Sequence, residues 1–226
     1  MARLFEPLLI GDLRLDNRIV IAPMCQYSAS NGTAGDWHMI HLGHLALSGA
    51  GLMILEATAI SPDGRISPQD LGLYSDENEN ALAKILTAVR AHSPIAVALQ
   101  LSHAGRKASS RAPWEGGAQI RPDEPLGWKT EAPSPVPHAE GEDIPLALDR
   151  AGLALQLHCS SEVSAASIGL VSSPPERPCE NVVDRDAPLS ELDSDAADFL
   201  DRPADQERCL VRRRRVFLSA GSALAR

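Results

Sequence analysis

Three short, predominantly apolar runs separated by two stretches of helical periodicity constrain this chain more than any other feature. Ile19 to Ala22 reads as a strand stopped by Pro23, Gly51 to Glu56 as a second buried strand, and Ile95 to Leu101 as a third. Between them, Asp36 to Ser48 carries Trp37, Ile40, His41, His44, Leu45 and Leu47 at helical spacing, with Ser48-Gly49 as a stop. Asp76 to His92 places Ala81, Leu82, Ile85, Leu86 and Val89 on one face, with Asp76 as the expected N-cap and an acidic first turn. Strands that are apolar throughout are buried on both faces, so the alternation predicts an α/β fold with a parallel sheet covered by helices. Ahead of it, Leu4 to Ile10, Gly11-Asp12 and Leu13 to Leu15 read as a hairpin.

From His103 to about Leu148 the chain becomes rich in proline, glycine and tryptophan, with Trp114 and Trp128 in a segment of little periodicity. Such a stretch is expected to be a lid or binding loop, the alternative being a surface excursion. After Ala151 the sequence is heavy in serine, aspartate and arginine and has no lysine, tyrosine, tryptophan or methionine. Only Ala196–Leu200 and Val216–Leu218 suggest regular structure there, and partial disorder is expected.

With a formal net charge of −9, the chain opposes the phosphate attraction on which nucleic-acid binding depends, so no nucleic-acid partner is expected. No run is long enough to span a bilayer and no signal segment is recognisable, which predicts a cytoplasmic protein without a membrane partner. Cys25, Cys159, Cys179 and Cys209 lack metal-type spacing and are expected as free thiols. His38, His41 and His44 point to packing and helix-end hydrogen bonds rather than a metal, because successive members turn by about 60° around a helix. Arg212 to Arg215 reads as a solvated cluster, with an anion patch as the alternative.

The common phosphate-loop, dinucleotide, serine-hydrolase and zinc-protease motifs are absent, so chemistry must be sought at strand ends. In a (β/α)₈ barrel these ends converge on one mouth, which would bring Cys25, Tyr27, Gln100 and His103 together. The Gln100 amide offers a donor and an acceptor to a heterocycle edge, or is a satisfied barrel-core residue. Tyr27 either donates to a substrate carbonyl or packs with its hydroxyl wet. Cys25 is either a reactive thiol or a buried, inert one.

The stretches LFEPLLIGDLRLDNRIVIAPMCQYSASNGTAGDWHMIHLGHLA, GLMILEATAISPDGRISPQDLGLYSDE, VALQLSHAGRKASSRAPWEGG and PLGWKTEAPSPVP together resemble the Old Yellow Enzyme family, in its bacterial xenobiotic-reductase-like branch. The resemblance implies a TIM (β/α)₈ barrel with FMN across its mouth, reduced by NADPH or NADH and reoxidised by hydride delivery to the C=C bond of a small-molecule enone. It implies that Pro23, Met24 and Cys25 border the flavin, that Ala57 contacts it through its backbone, and that Gln100 pairs with its pyrimidine ring. Cys25 matches the family's flavin-modulating cysteine and Tyr27 its substrate-contacting tyrosine.

The resemblance stops near Ala154. The family's next helix is expected to be absent, Leu155 to His158 to be the end of a following strand, and His158 to be the first of a histidine pair whose second position is Ser161. Later strands and phosphate-binding segments are not recognisable. The expected organisation is therefore residues 1–154 as the N-terminal part of an FMN-binding barrel and 155–226 as an unassigned tail, disordered or frameshifted. Two functional expectations follow: an FMN-dependent ene-reductase, or a catalytically inactive remnant that self-associates as a homo-oligomer or folds poorly.

Overall fold

A computed structural model describes residues 3–171. The expectations for Cys179, Cys209, Ala196–Leu200, Val216–Leu218 and the arginine run lie outside the described residues. The expected hairpin is present: β1 (Leu8–Ile10) pairs antiparallel with β2 (Leu13–Leu15) around Gly11, whose φ of 56° suits a residue without a Cβ. A three-stranded parallel sheet follows, ordered β3 (Val20–Ile21), β4 (Leu52–Ala59) and β5 (Ala96–Ser102). Each pair of neighbours is joined through a helix, α1 (Asp36–Ala46) and α2 (Asp76–Arg90).

Both helices lie on one side of the sheet. Met53 and Leu55 of β4 and Val97 of β5 meet Leu42 and Ala46 of α1 and Leu82, Ile85, Leu86 and Val89 of α2 in a common core. The cap of α2 is Ser75 rather than Asp76: the Ser75 hydroxyl accepts from the Asn78 N–H at 3.2 Å, and Asp76 opens the acidic first turn. For α1 the expected span is close. Its buried side chains are His38, Leu42 and Ala46, with Leu45 partly buried against the core, whereas Trp37, Ile40 and Leu47 are exposed. Helical spacing of apolar residues therefore did not single out the buried stripe, and Trp37 lies outside, stacked on His41.

The segment 103–148 is a folded loop system carrying the short parallel pair β6 (Glu131–Ala132) and β7 (Leu146–Ala147). Trp128 anchors it, donating from Nε1 to the Asp63 carbonyl at 3.0 Å beneath the Arg65 guanidinium.

The helix expected to be absent is present: α3 runs Arg150–Val171 and contributes Leu155, Cys159 and Val163 to the core. These three recur every four residues, the spacing of one helical stripe. Leu155 to His158 is therefore helix and not a strand end, and α3 packs against β5 and α2 in the helix layer. No described helix is long and apolar enough to cross a membrane.

Candidate functional site

The site is built around an irregularity in β4. Leu55 pairs with Leu99, but the next matched pair is Ala57 with Gln100, so Glu56 is the extra residue of a β-bulge. A regular pleat would turn Glu56 to the face opposite Leu55. The bulge instead lets its carboxylate reach the helix layer and leaves Ala57 level with Gln100 at the strand ends. Gln100 projects from β5 on the sheet face not covered by helices and is exposed.

Two consecutive residues of β4 hold the loop that leaves β3. Glu56 Oε2 accepts the Gln26 backbone N–H at 2.9 Å, and the Ala57 backbone N–H bonds to the Cys25 sulfur. The Gln26 side chain donates to the Met24 carbonyl at 2.8 Å and accepts from the Trp37 indole at 3.1 Å. Tyr27 is thereby fixed in the left-handed region with φ of 51°, a conformation that costs a residue with a Cβ about 1–2 kcal/mol. Its ring meets Trp114 of the long loop edge to face, with centroids 5.1 Å apart.

Burial pushes the Cys25 thiol up from its ordinary 9.0 to about 11, helped by the nearby Asp70 and Glu56 carboxylates and opposed by the Ala57 N–H bond and Lys107. The thiol is neutral at physiological pH. Tyr27 is also raised, by burial first and then by Cys25, Asp70 and Glu56, so its phenol keeps its proton and can donate. Asp70 is itself raised by burial, although the Ser67 hydroxyl donates to it at 2.7 Å and the Ile66 N–H at 3.0 Å.

Of the residues selected from sequence, Cys25 and Ala57 touch, Gln100 stands in register with Ala57, and Pro23, Met24 and Tyr27 belong to the same loop. His103 follows β5 and accepts the Gly105 N–H at its Nδ1. His158 stands apart on α3, beside Cys159 in the outer layer. The sequence reading missed Glu56, His38, Gln26 and Trp114 as parts of this assembly. A carboxylate in an otherwise apolar strand, LMILEATA, was the available signal, since a buried charge requires partners. A groove of about 580 Å³ lined by Asn31, Pro62, Asp63, Arg65, Gln69 and Trp128, among others, includes none of the sequence-selected residues.

The described part is a parallel sheet with helices on one face, a thiol and a phenol on the loop after β3, and an amide near the end of β5, the arrangement of a partial α/β barrel. Comparison with known proteins identifies the family. The chain belongs to the NADH:flavin oxidoreductase / NADH oxidase family, whose model matches residues 3–136. It is 42% identical over 141 residues to an NADH:flavin oxidoreductase of Gibberella zeae, covering 62% of this chain and 34% of that protein. To an NADPH dehydrogenase of Bacillus cytotoxicus it is 38% identical over 150 residues, covering 66% and 38% respectively. Among solved structures, morphinone reductase superposes with a TM-score of 0.62 at 28% identity, covering 74% of this chain and 45% of that one. An Old Yellow Enzyme from Pichia shares the fold, with a TM-score of 0.62 at 22% identity. The chain thus spans less than half the length of each of these relatives, and its described part is the corresponding portion of a TIM barrel.

Proposed function

We propose that this chain carries the ring-facing part of an FMN site in an NAD(P)H-dependent oxidoreductase that reduces the C=C bond of α,β-unsaturated carbonyl compounds. The observation that carries the reading is the Ala57–Gln100 register, with Cys25 tied to Ala57, because it gathers an amide, a backbone edge and a thiol at one place. The donor set fits a flavin. Gln100 presents both a donor and an acceptor from an exposed position, as the adjacent N–H and C=O groups of a pyrimidine edge require.

When bound, FMN would supply hydride chemistry between NADPH or NADH and the β-carbon of the enone, the α-carbon taking its proton from solvent; the remaining work falls to the protein. A neutral Cys25 thiol places no negative charge against a cofactor that gains electrons. Protonated Tyr27, held by Trp114, donates a hydrogen bond to the substrate carbonyl and so polarises the double bond. His158 has no part in this scheme, because α3 carries it in the helix layer.

The test is the visible spectrum after FMN is added and excess removed by gel filtration, followed by NADPH oxidation with cyclohexenone. Retained flavin that is lost in Gln100→Ala supports the reading; a colourless protein refutes it. A second reading, a non-catalytic chain that self-associates, is favoured by one observation. Among the described residues the outer edges of β3 and β5 have no strand partner, and Val20, Met24, Ile40 and Leu47 are exposed nearby or on α1. A flavin-free dimer in sedimentation would select it.

A further inference from the structure

His38 and Glu56 form a buried pair that the scheme above does not use. His38 is 1% exposed and Glu56 6%, and no metal-type cluster of three ligands occurs among the described residues. The Gly35 N–H donates to His38 Nδ1 at 3.1 Å, so that nitrogen is the unprotonated one and the proton of the neutral ring is on Nε2. Nε2 lies 3.4 Å from Glu56 Oε1, a close polar contact without hydrogen-bond alignment, and has no hydrogen-bond partner among the described residues. The other carboxylate oxygen accepts the Gln26 N–H. A single line of contacts therefore runs from the start of α1, through the imidazole and the bulge carboxylate, to the backbone between Cys25 and Tyr27.

We infer that His38 is a positioning residue that fixes the orientation of the Glu56 carboxylate and, through it, the Cys25–Gln26–Tyr27 loop. The physical reason is economy of partners. A buried carboxylate is held in one orientation only if its oxygens are both engaged. Glu56 has one oxygen on the loop, and the His38 Nε2 edge, at 3.4 Å, is the polar group packed beside the other. Without it the carboxylate can rotate, the Gln26 N–H loses its fixed acceptor, and the left-handed Tyr27 conformation loses the contact that holds it. The inference rests on the reading of this loop as the flavin-bordering one only for its functional consequence, because the geometry stands without a cofactor.

The test exploits the two nitrogens separately. In His38→Asn the amide oxygen takes the place of Nδ1 and keeps the contact with Gly35, but nothing reaches Glu56. In His38→Gln the amide nitrogen takes the place of Nε2–H and restores the donor. Both variants keep the Glu56 charge that acts on Cys25. The readout is iodoacetamide labelling of the full chain at fixed pH, resolved by peptide mass, with the buried Cys159 on α3 as an internal monitor of global opening. His38→Asn should label at Cys25 several-fold faster than the parent, about the effect of losing one polar contact to the carboxylate from a local closing equilibrium, with Cys159 unchanged. His38→Gln should label at the parent rate. Equal rates in the two variants, or acceleration of Cys25 and Cys159 in parallel, overturn the inference. If the parent retains FMN, His38→Asn should also release it more readily than His38→Gln. If neither parent nor variant retains it, the flavin reading fails while the labelling comparison still decides the positioning role.

Discussion

The pH dependence of Cys25 reactivity tests the electrostatics of the site directly. A thiol raised from 9.0 to about 11 has about a hundredfold fewer thiolates at pH 8 than an ordinary cysteine, since each unit is a factor of ten. Nucleophilicity per thiolate rises with basicity, by about six- to tenfold over two units for a Brønsted slope of about 0.4–0.5. The net expectation is a Cys25 reaction about ten- to fifteenfold slower than in the urea-unfolded chain, when a small pyridyl disulfide is used and the modified peptide is quantified. The rate should climb without a break through pH 9. The same shift has a thermodynamic side. Between pH 9 and 11 the unfolded chain has released the thiol proton that the folded chain still holds, so the folded state binds more protons and its stability falls as pH rises. Tyr27 and Tyr74, also raised by burial, act in the same direction. Urea unfolding at pH 8 and 10 should show the decline, and Cys25→Ser should reduce it. An inflection in reactivity at or below pH 9 would refute the argument that burial and the two carboxylates dominate over Lys107 and the Ala57 N–H.

Two further substitutions test the scaffold. Leu86→Ala, at a fully buried position between α2 and the sheet, should cost about 2–5 kcal/mol in urea unfolding; a loss below 1 kcal/mol would mean that the α2 face does not pack as described. Ser75→Ala should cost about 1 kcal/mol by removing the α2 cap, while Asp76→Ala should cost less, and the reverse order would restore Asp76 as the cap.

The parts of this fold that were legible from sequence are those where one physical demand acts alone. On the helix side β4 and β5 answer to the core alone, so Met53, Leu55 and Val97 are apolar, and the parallel pairing followed from the alternation with helices. The apolar stripe of α2 likewise answers only to the core. Where two demands compete, the reading failed. On α1 the buried stripe mixes Leu42 and Ala46 with His38, which lies beside Glu56, so hydrophobicity alone did not mark it. On α3 the core stripe is Leu155, Cys159 and Val163, set among serine, glutamine and glutamate, and its Leu155-Gln156-Leu157-His158 segment alternates like a strand.

The site itself was half legible for the same reason. Cys25, Tyr27 and Gln100 advertise themselves as polar groups at the ends of apolar runs. Glu56 lies inside such a run, and its role depends on a bulge that spacing cannot reveal. Yet the bulge explains why the visible residues sit where they do. One inserted residue in β4 turns a carboxylate into the helix layer, where it meets a histidine and grips the loop after β3, and it brings Ala57 level with Gln100. The placement of Cys25 and Tyr27 is thus set by contacts made within β4, α1, the loop after β3 and the Trp114 loop. Their relative geometry follows from the bulge and from the helices packed against the sheet, among which α3 covers β5.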